Sequence, residues 1–332
     1  MNIKLKSFTM AEILLSLTII GVVAAITLPS LTGNINERTW NTQRKALYAR
    51  ISQAIPLMGS LNGYGIGATE SETASNAAKI FVTNGVAKVY KINNICDSEH
   101  LQDCGIVSKY ISTKGTKKDF PKTLRLLNNS LISQSGYQHP VQTDVGDIAY
   151  SHINTYISAF ETTNGESVAV FYNPFCRQDL IQNKTNVNGN AYIYTAPMLC
   201  VNFVFDLNGK KGPNTIGKDM GIITAFYPTD TNVVMPTPLA DNSVNSSGSS
   251  NMNYNSALTV CKNSSNDIRL PNREELASLA INRTLLDFEI HQSSGTNYAV
   301  YAATKNWQVE MARIAWTNMG YGSQVRVRCI KR

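Results

Sequence analysis

Apolar residues run almost without interruption from Phe8 to Leu31, and Glu12 is the only ionisable side chain in that stretch. A helix over it would rise about 36 Å at 1.5 Å per residue, enough for the hydrocarbon core of a bilayer. Lys4 and Lys6 precede it. The positive-inside rule then predicts a single pass through the bacterial inner membrane, with a cytoplasmic N-terminus and the remainder exported. From Asn34 to Ile55 the pattern turns polar with an apolar stripe, Trp40, Leu47, Ile51, Ala54 and Ile55, near helical spacing. Pro56, Gly59 and Gly63 are read as its end.

Further on the period shortens. Residues 68–93 are moderately helical, and 105–150 read as irregular surface. Strands are predicted at Ser158–Thr163, Glu166–Tyr172, Cys200–Asp206 and Gly221–Phe226, with Asn164-Gly165 as a hairpin turn between the first two. The expectation is an antiparallel meander. Residues 227–255 are rich in Pro, Asn, Ser and Thr and read as a linker. Beyond it, 253–261 looks helical, Asn272 with Glu275 forms a capping-box-like helix start, and strands are predicted at Tyr298–Ala303, Ala312–Thr317 and Gln324–Ile330.

Composition narrows the function classes. The 332 residues carry a formal charge of +7, yet no run of Lys and Arg is dense enough to read as a nucleic-acid footprint, so nucleic acid is not an expected partner. Six cysteines without a CxxC spacing favour disulfides over zinc. Of fifteen connectivities, the sequence-local set is expected: Cys96–Cys104, Cys176–Cys200 and Cys261–Cys329. His100, His139, His152 and His291 are scattered, and no nucleophile elbow, HExxH or P-loop occurs, so the chain is read as non-enzymatic.

The acid inside the apolar run is the informative residue, because an ionisable group there is costly and functional by default. A secretory signal peptide would need a small-x-small site after the run, which Thr27-Leu28-Pro29-Ser30 does not supply. A plain anchor leaves Glu12 unexplained. Ser7-Phe8-Thr9-Met10-Ala11-Glu12, with Gly21 and Pro29, resembles the prepilin motif of type IV pilins and type II secretion pseudopilins. The resemblance covers about the first fifty residues. It implies cleavage between Ser7 and Phe8 by a prepilin peptidase, N-methylation of Phe8, and assembly through Glu12, Gly21 and Pro29 with other pilin or pseudopilin subunits. Inner-membrane lipid would be the partner before assembly. The family's residue before the cut is usually Gly, sometimes Ala; here it is Ser7.

The expected fold is α+β and pilin-like: a leader at 1–7, a membrane-spanning assembly helix at 8–31, its amphipathic continuation at 32–56, and a head at 57–230 with an antiparallel sheet packed on the helix. A linker at 231–252 would join it to a small α+β module at 253–332. In that module Cys261, Arg269-Leu270-Pro271 with Glu274-Glu275-Leu276, and Val327-Arg328-Cys329 resemble bacterial C-type-lectin-like domains. Val300-Tyr301-Ala302-Ala303-Thr304 replaces that family's aromatic-Trp-Ser-Ser strand. Trp307 and Trp316 are candidates to stack on a surface ligand or to fill the core.

The run from Asp206 to Asp219 partly matches a calcium loop, with Asp206, Asn208 and Asp219 as the ligand set. No Glu closes it and Lys210 and Lys211 dilute its charge, so a glycine-rich turn with Asx caps is the competing reading. No other cofactor is expected. The function read from the chain is a minor pilin or pseudopilin of a pilus or secretion filament. The alternative is a filament-tip adhesin using the C-terminal module.

Overall fold

A computed structural model describes residues 10–62, 76–124, 156–173, 184–185, 191–192, 198–227, 233–239, 254–264, 268–272, 275, 278–279, 282–287, 299–301, 307–310, 315–318 and 329–331. The chain divides into two compact units, Met1–Ala46 and Leu47–Arg332. Helix α1, Met10–Asn62, contributes to both.

In the first unit the apolar side chains of α1 face outward on every side: Met10, Leu14, Leu15, Leu17 and Ile20 are 60–80% exposed. Ser16 and Thr18 turn their hydroxyls back onto the carbonyls of Glu12 and Leu14. Among the described residues no helix is long and apolar enough to cross a membrane. This overturns the expected single-pass inner-membrane placement, and the membrane-spanning first half of the helix with it. The physical reason is the polarity of the segment. Glu12, Ser16 and Thr18 interrupt the described part of the run, and polar side chains there cost free energy in hydrocarbon.

In the second unit α1 becomes one-sided. Leu47, Ile51, Ala54, Ile55 and Met58 are at most 5% exposed, a stripe at i, i+4, i+7, i+8 and i+11. Trp40, placed in the same stripe from sequence, is half-buried in the first unit. The helix does not stop at Pro56; it runs on to Asn62. Pro56 lies on the exposed face, where the carbonyl freed by its missing N–H is open to water.

The centre of the second unit is a six-stranded antiparallel meander in chain order: β1 (Ile92–Cys96), β2 (Tyr156–Thr162), β3 (Ser167–Tyr172), β4 (Met198–Asp206), β5 (Met220–Tyr227) and β6 (Val233–Pro236). The α+β class and the meander agree with expectation, and the four predicted strands fall within one or two residues of β2 to β5. β1 is a strand where the sequence suggested the end of a helix. The helical segment there, α2, comprises Ala77–Ile80, a π-helical stretch Phe81–Val86 and Ala87–Val89, and Tyr90 is already extended. The β2–β3 turn is a three-residue loop: Thr162 N–H donates to the Glu166 carbonyl at 2.9 Å, and Gly165 takes a left-handed φ of +82°.

Every residue of β3 is buried, because both faces of the sheet are covered. On one face Tyr172 stacks on Phe81 of α2 with ring centroids 4.6 Å apart. On the other, Phe171 meets Phe120 at 6.1 Å, and Phe120 meets Tyr110 at 6.1 Å. Tyr110 belongs to a ribbon of Lys109–Ile111 with Lys117–Asp119, inside the region read as irregular, and Phe120 follows its second strand. A 3-10 turn, Leu101–Cys104, leads into that ribbon, and Gly105 follows it with φ +80°, where a Cβ would lie 2.1 Å from Ser167 Oγ.

Residues 278–279 and 282–287 of the C-terminal region lie on this second face. The region includes α3 (Tyr254–Ser264), α4 (Arg283–Leu286), a ribbon of Ile268–Arg269 with Ile330–Lys331, and a three-stranded sheet of Ala299–Tyr301, Trp307–Glu310 and Ala315–Asn318. Tyr110 Oη donates to the Leu285 carbonyl at 3.0 Å, and Lys118 pairs with Asp287. The expected capping box is present and reciprocal: Glu275 N–H donates to Asn272 Oδ1 at 2.7 Å, and Asn272 N–H to Glu275 Oε2 at 2.8 Å. Arg269 also grips the Glu275 carboxylate with two bonds, of 2.7 and 2.6 Å. Disulfides join Cys96 to Cys104 and Cys261 to Cys329 as expected; Cys200 is also disulfide-bonded, and Cys176 lies outside the described residues.

Candidate functional site

The structure places the sequence-derived residues in three separate locations. Ser7 and Phe8, the expected processing junction, lie outside the described residues. Glu12 and Gly21 sit on the exposed part of α1, and the backbone remains helical through Pro29. This segment is apolar around its whole circumference. A helix of that kind is stable in water only when other apolar surface covers it.

The second location is the turn between β4 and β5, where Asp206, Asn208 and Asp219 come together. Asp219 is fully buried, and its two carboxylate oxygens accept the N–H groups of Asn214 and Thr215, each at 2.8 Å. Asp206 accepts the N–H of Asn208 at 3.1 Å. With the Asn214 amide turned so that its nitrogen faces the loop, it donates to Gly209 O at 3.2 Å and Asp206 Oδ2 at 3.1 Å. These are Asx-turn interactions, and the carboxylates are engaged by the loop's own donors. Among the described residues no group of three or more His, Cys, Asp or Glu is arranged to hold a metal. The Asx-cap pattern that competed with calcium in the sequence is present at Asp206, which caps the N–H two residues on.

Burial pushes the Asp206 carboxyl up to about 7; the neighbouring Asp219 adds to this, while the N–H groups of Asn208 and Gly209 oppose it. The folded state then binds this proton more tightly than the unfolded chain, whose Asp titrates near 3.9. Stability from Asp206 is present below about pH 4 and is lost as pH rises through about 7, by roughly 2–4 kcal/mol. Asp97, lowered to about 2 chiefly by its hydrogen bond with His100, titrates below that window, so its effect is separate. Denaturation midpoints at pH 5 and pH 8 are expected to differ in the native chain and to differ less in Asp206→Asn, where the exposed His100, raised by its bond with Asp97, leaves a small remaining slope. Equal pH slopes for the two proteins would rule this out.

The third location is the C-terminal region. The register of its three-stranded sheet sets Trp316 opposite Val309, two residues from Trp307.

Two clusters were not singled out from the sequence. Arg50 of α1 pairs with the buried Glu166 at the start of β3, whose other oxygen accepts the Thr162 hydroxyl at 2.6 Å. The Arg50 guanidinium also lies 5.6 Å from the centroid of the Tyr90 ring. On the opposite face of the sheet Asn202, Thr224, Ser278 and Asn282 are buried and joined with Thr237 in one hydrogen-bond network. Asn202 Nδ2 donates to Asn282 Oδ1 at 2.8 Å, and the Thr224 hydroxyl to Asn202 Oδ1 at 2.8 Å. The legible signal was a polar residue inside each apolar strand, Asn202 within Cys200–Asp206 and Thr224 within Gly221–Phe226. Such residues are retained when a partner satisfies them. No protein-family model matches the chain, and comparison with curated proteins and with solved structures gives no match.

Proposed function

We propose that this chain is a structural subunit of a filament of the type IV pilus or type II secretion class, a minor pilin or pseudopilin that assembles through the first part of α1. The observation that carries the reading is the exposed apolar circumference of residues 10–25, interrupted by a single acid, Glu12. Apolar surface on all sides is best covered by several parallel copies of the same kind of helix, as in the core of a bundle. A carboxylate one turn from the mature N-terminus then has a purpose. Cleavage before Phe8 creates an amino group, and the Phe8 amine and Glu12 carboxylate attract strongly where water is excluded. The head, from Leu47 onward, is a two-faced sheet whose size suits a subunit present in few copies.

Prepilin processing is the chemical step on which this reading depends. Mass spectrometry of the purified protein is expected to find an N-terminus at Phe8 carrying one added methyl group. An intact leader, or a cut elsewhere, would contradict it.

A further inference from the structure

The chain contains five Asn-Gly pairs. This dipeptide is chemically fragile. The glycine nitrogen attacks the asparagine side-chain amide, and no side chain on the glycine crowds the ring that forms. Three of the pairs lie among the described residues, and the fold treats them differently. Asn84-Gly85 is within the π-helical stretch of α2, with Gly85 buried. Asn208-Gly209 is in the β4–β5 loop, where Gly209 is buried and Asn208 Nδ2 donates to Gly212 O at 3.2 Å. Asn164-Gly165 forms the tip of the β2–β3 hairpin. Both of its residues are exposed, and the Asn164 side-chain amide makes no hydrogen bond among the described residues. Ring closure at a buried glycine nitrogen needs a local opening first, whereas a hairpin tip fluctuates in solvent. The Gly165 N–H is held by one turn bond, to Thr162 O at 3.0 Å, which opens at little cost where water competes for it.

We infer that Asn164 is a modification site: it deamidates spontaneously through a cyclic imide with Gly165, and the products loosen the contact between α1 and the sheet. The only co-reactant is water, and nothing is oxidised or reduced. The Gly165 nitrogen gives its proton to solvent and bonds to Asn164 Cγ. The bond from Cγ to Nδ2 breaks, and ammonia leaves. Water then opens the five-membered ring at either carbonyl. One opening leaves aspartate at 164. The other leaves isoaspartate, whose backbone runs through Cγ and is one carbon longer. This goes beyond the filament reading and does not rest on it.

The place of the turn gives the modification its effect. The Thr162 hydroxyl accepts the N–H groups of Asn164 at 3.3 Å and Glu166 at 3.2 Å, and donates to Glu166 Oε2 at 2.6 Å. The other Glu166 oxygen holds Arg50 of α1. Thr162 N–H donates to Glu166 O at 2.9 Å, so the loop is closed by bonds on both sides of the linkage that changes. An extra backbone carbon between Asn164 and Gly165 lengthens this three-residue loop and displaces its donors, and Glu166 with them. Either product also adds a negative charge two residues from the buried Glu166 carboxylate, and like charges repel. At an exposed tip that charge is screened by water and salt, so the longer backbone of isoaspartate is the more disruptive of the two.

The test is peptide mapping by mass spectrometry of the full chain, incubated folded in mildly alkaline buffer at physiological temperature. The peptide containing Asn164 is expected to gain one mass unit, with isoaspartate among the products. It should convert roughly tenfold faster than the peptides of Asn84 and Asn208, whose glycines react only after local opening. In concentrated urea the fold no longer separates the pairs, and the three rates should agree to within about threefold. Urea midpoints are followed over the same incubation. The native midpoint is expected to fall as Asn164 converts, while Asn164→Gln, which closes its larger ring far more slowly, keeps its midpoint. Asn164→Ser, which forms no imide, serves if that variant fails to fold. An Asn164 peptide that stays unmodified, or converts no faster than the other two in the folded chain, would overturn the site. An equal fall of the midpoint in the native chain and the variant would overturn its coupling to α1.

Discussion

Replacing Arg50 by alanine is expected to destabilise the second unit by about 3–5 kcal/mol, because it leaves the buried Glu166 carboxylate without its cation. Glu166 is 4% exposed, and the Arg50 guanidinium pairs with it. Without the guanidinium the carboxylate keeps the Thr162 hydroxyl at 2.6 Å and loses the charge that offsets its burial. The pair also ties α1 to the β2–β3 turn, so the loss falls on the contact between helix and sheet. Arg50→Met combined with Glu166→Leu removes both charges and keeps the volume, and should recover to within about 1 kcal/mol of the native chain. Urea unfolding of the two proteins measures both numbers. A loss below about 1 kcal/mol for Arg50→Ala would reduce the pair to an ordinary surface bridge.

Much of the second unit was legible because apolar spacing is a local signal. Leu47, Ile51, Ala54 and Ile55 follow the helical period, Val168–Tyr172 is a continuous apolar run, and Val201–Phe205 is an apolar run broken by Asn202 alone. Asn272 and Glu275 were legible as a cap since the two bonds join residues three apart. What was missed depends on contacts distant in sequence. β1 carries Asn93 and Asn94, which read as a helix end, and becomes a strand because β2 offers it an edge. The ribbon of 109–119 has too few apolar residues to announce itself; Tyr110 packs on Phe120, and Phe120 on Phe171, which is about fifty residues further on. Pro56 was read as a stop because its cost inside a helix depends on which face it occupies, and that face is set by the packing of Met58 and Ile55.

The candidate sites divide in the same way. Glu12 stood out because it is the lone acid of an apolar run. The carboxylates of the β4–β5 loop were found as a group, but the sequence does not show that the N–H groups of Asn214 and Thr215 already occupy Asp219. The contact between the ribbon and the β4–β5 loop was invisible in the sequence because the bonds between Ile111 and the 214–216 segment join residues about a hundred apart. The expected membrane span failed for a related reason. A window of apolar residues does not weigh the polarity of Glu12, Ser16 and Thr18 within the helix that those residues build.

The second large effect concerns Glu12 itself. If α1 segments associate only because they are apolar, Glu12→Ala adds apolar surface and should associate as well or better. If the carboxylate pairs with the Phe8 amine, its removal leaves a cation without a partner inside the bundle, and association should fall tenfold or more, equivalent to about 1.4 kcal/mol. The two cases have opposite signs, which makes the residue decisive. The direct measurement is photo-crosslinking in the cells that make the protein, from a reactive group placed at Leu17, which is 61% exposed on the same segment. Cross-linked peptides are identified by mass spectrometry, in the native chain and in Glu12→Ala. Filament assembly through α1 predicts links to the apolar N-terminal helix of the same chain or of a related subunit, reduced at least tenfold by the substitution. Links that are absent, that fall on unrelated proteins, or that persist unchanged in Glu12→Ala would contradict it.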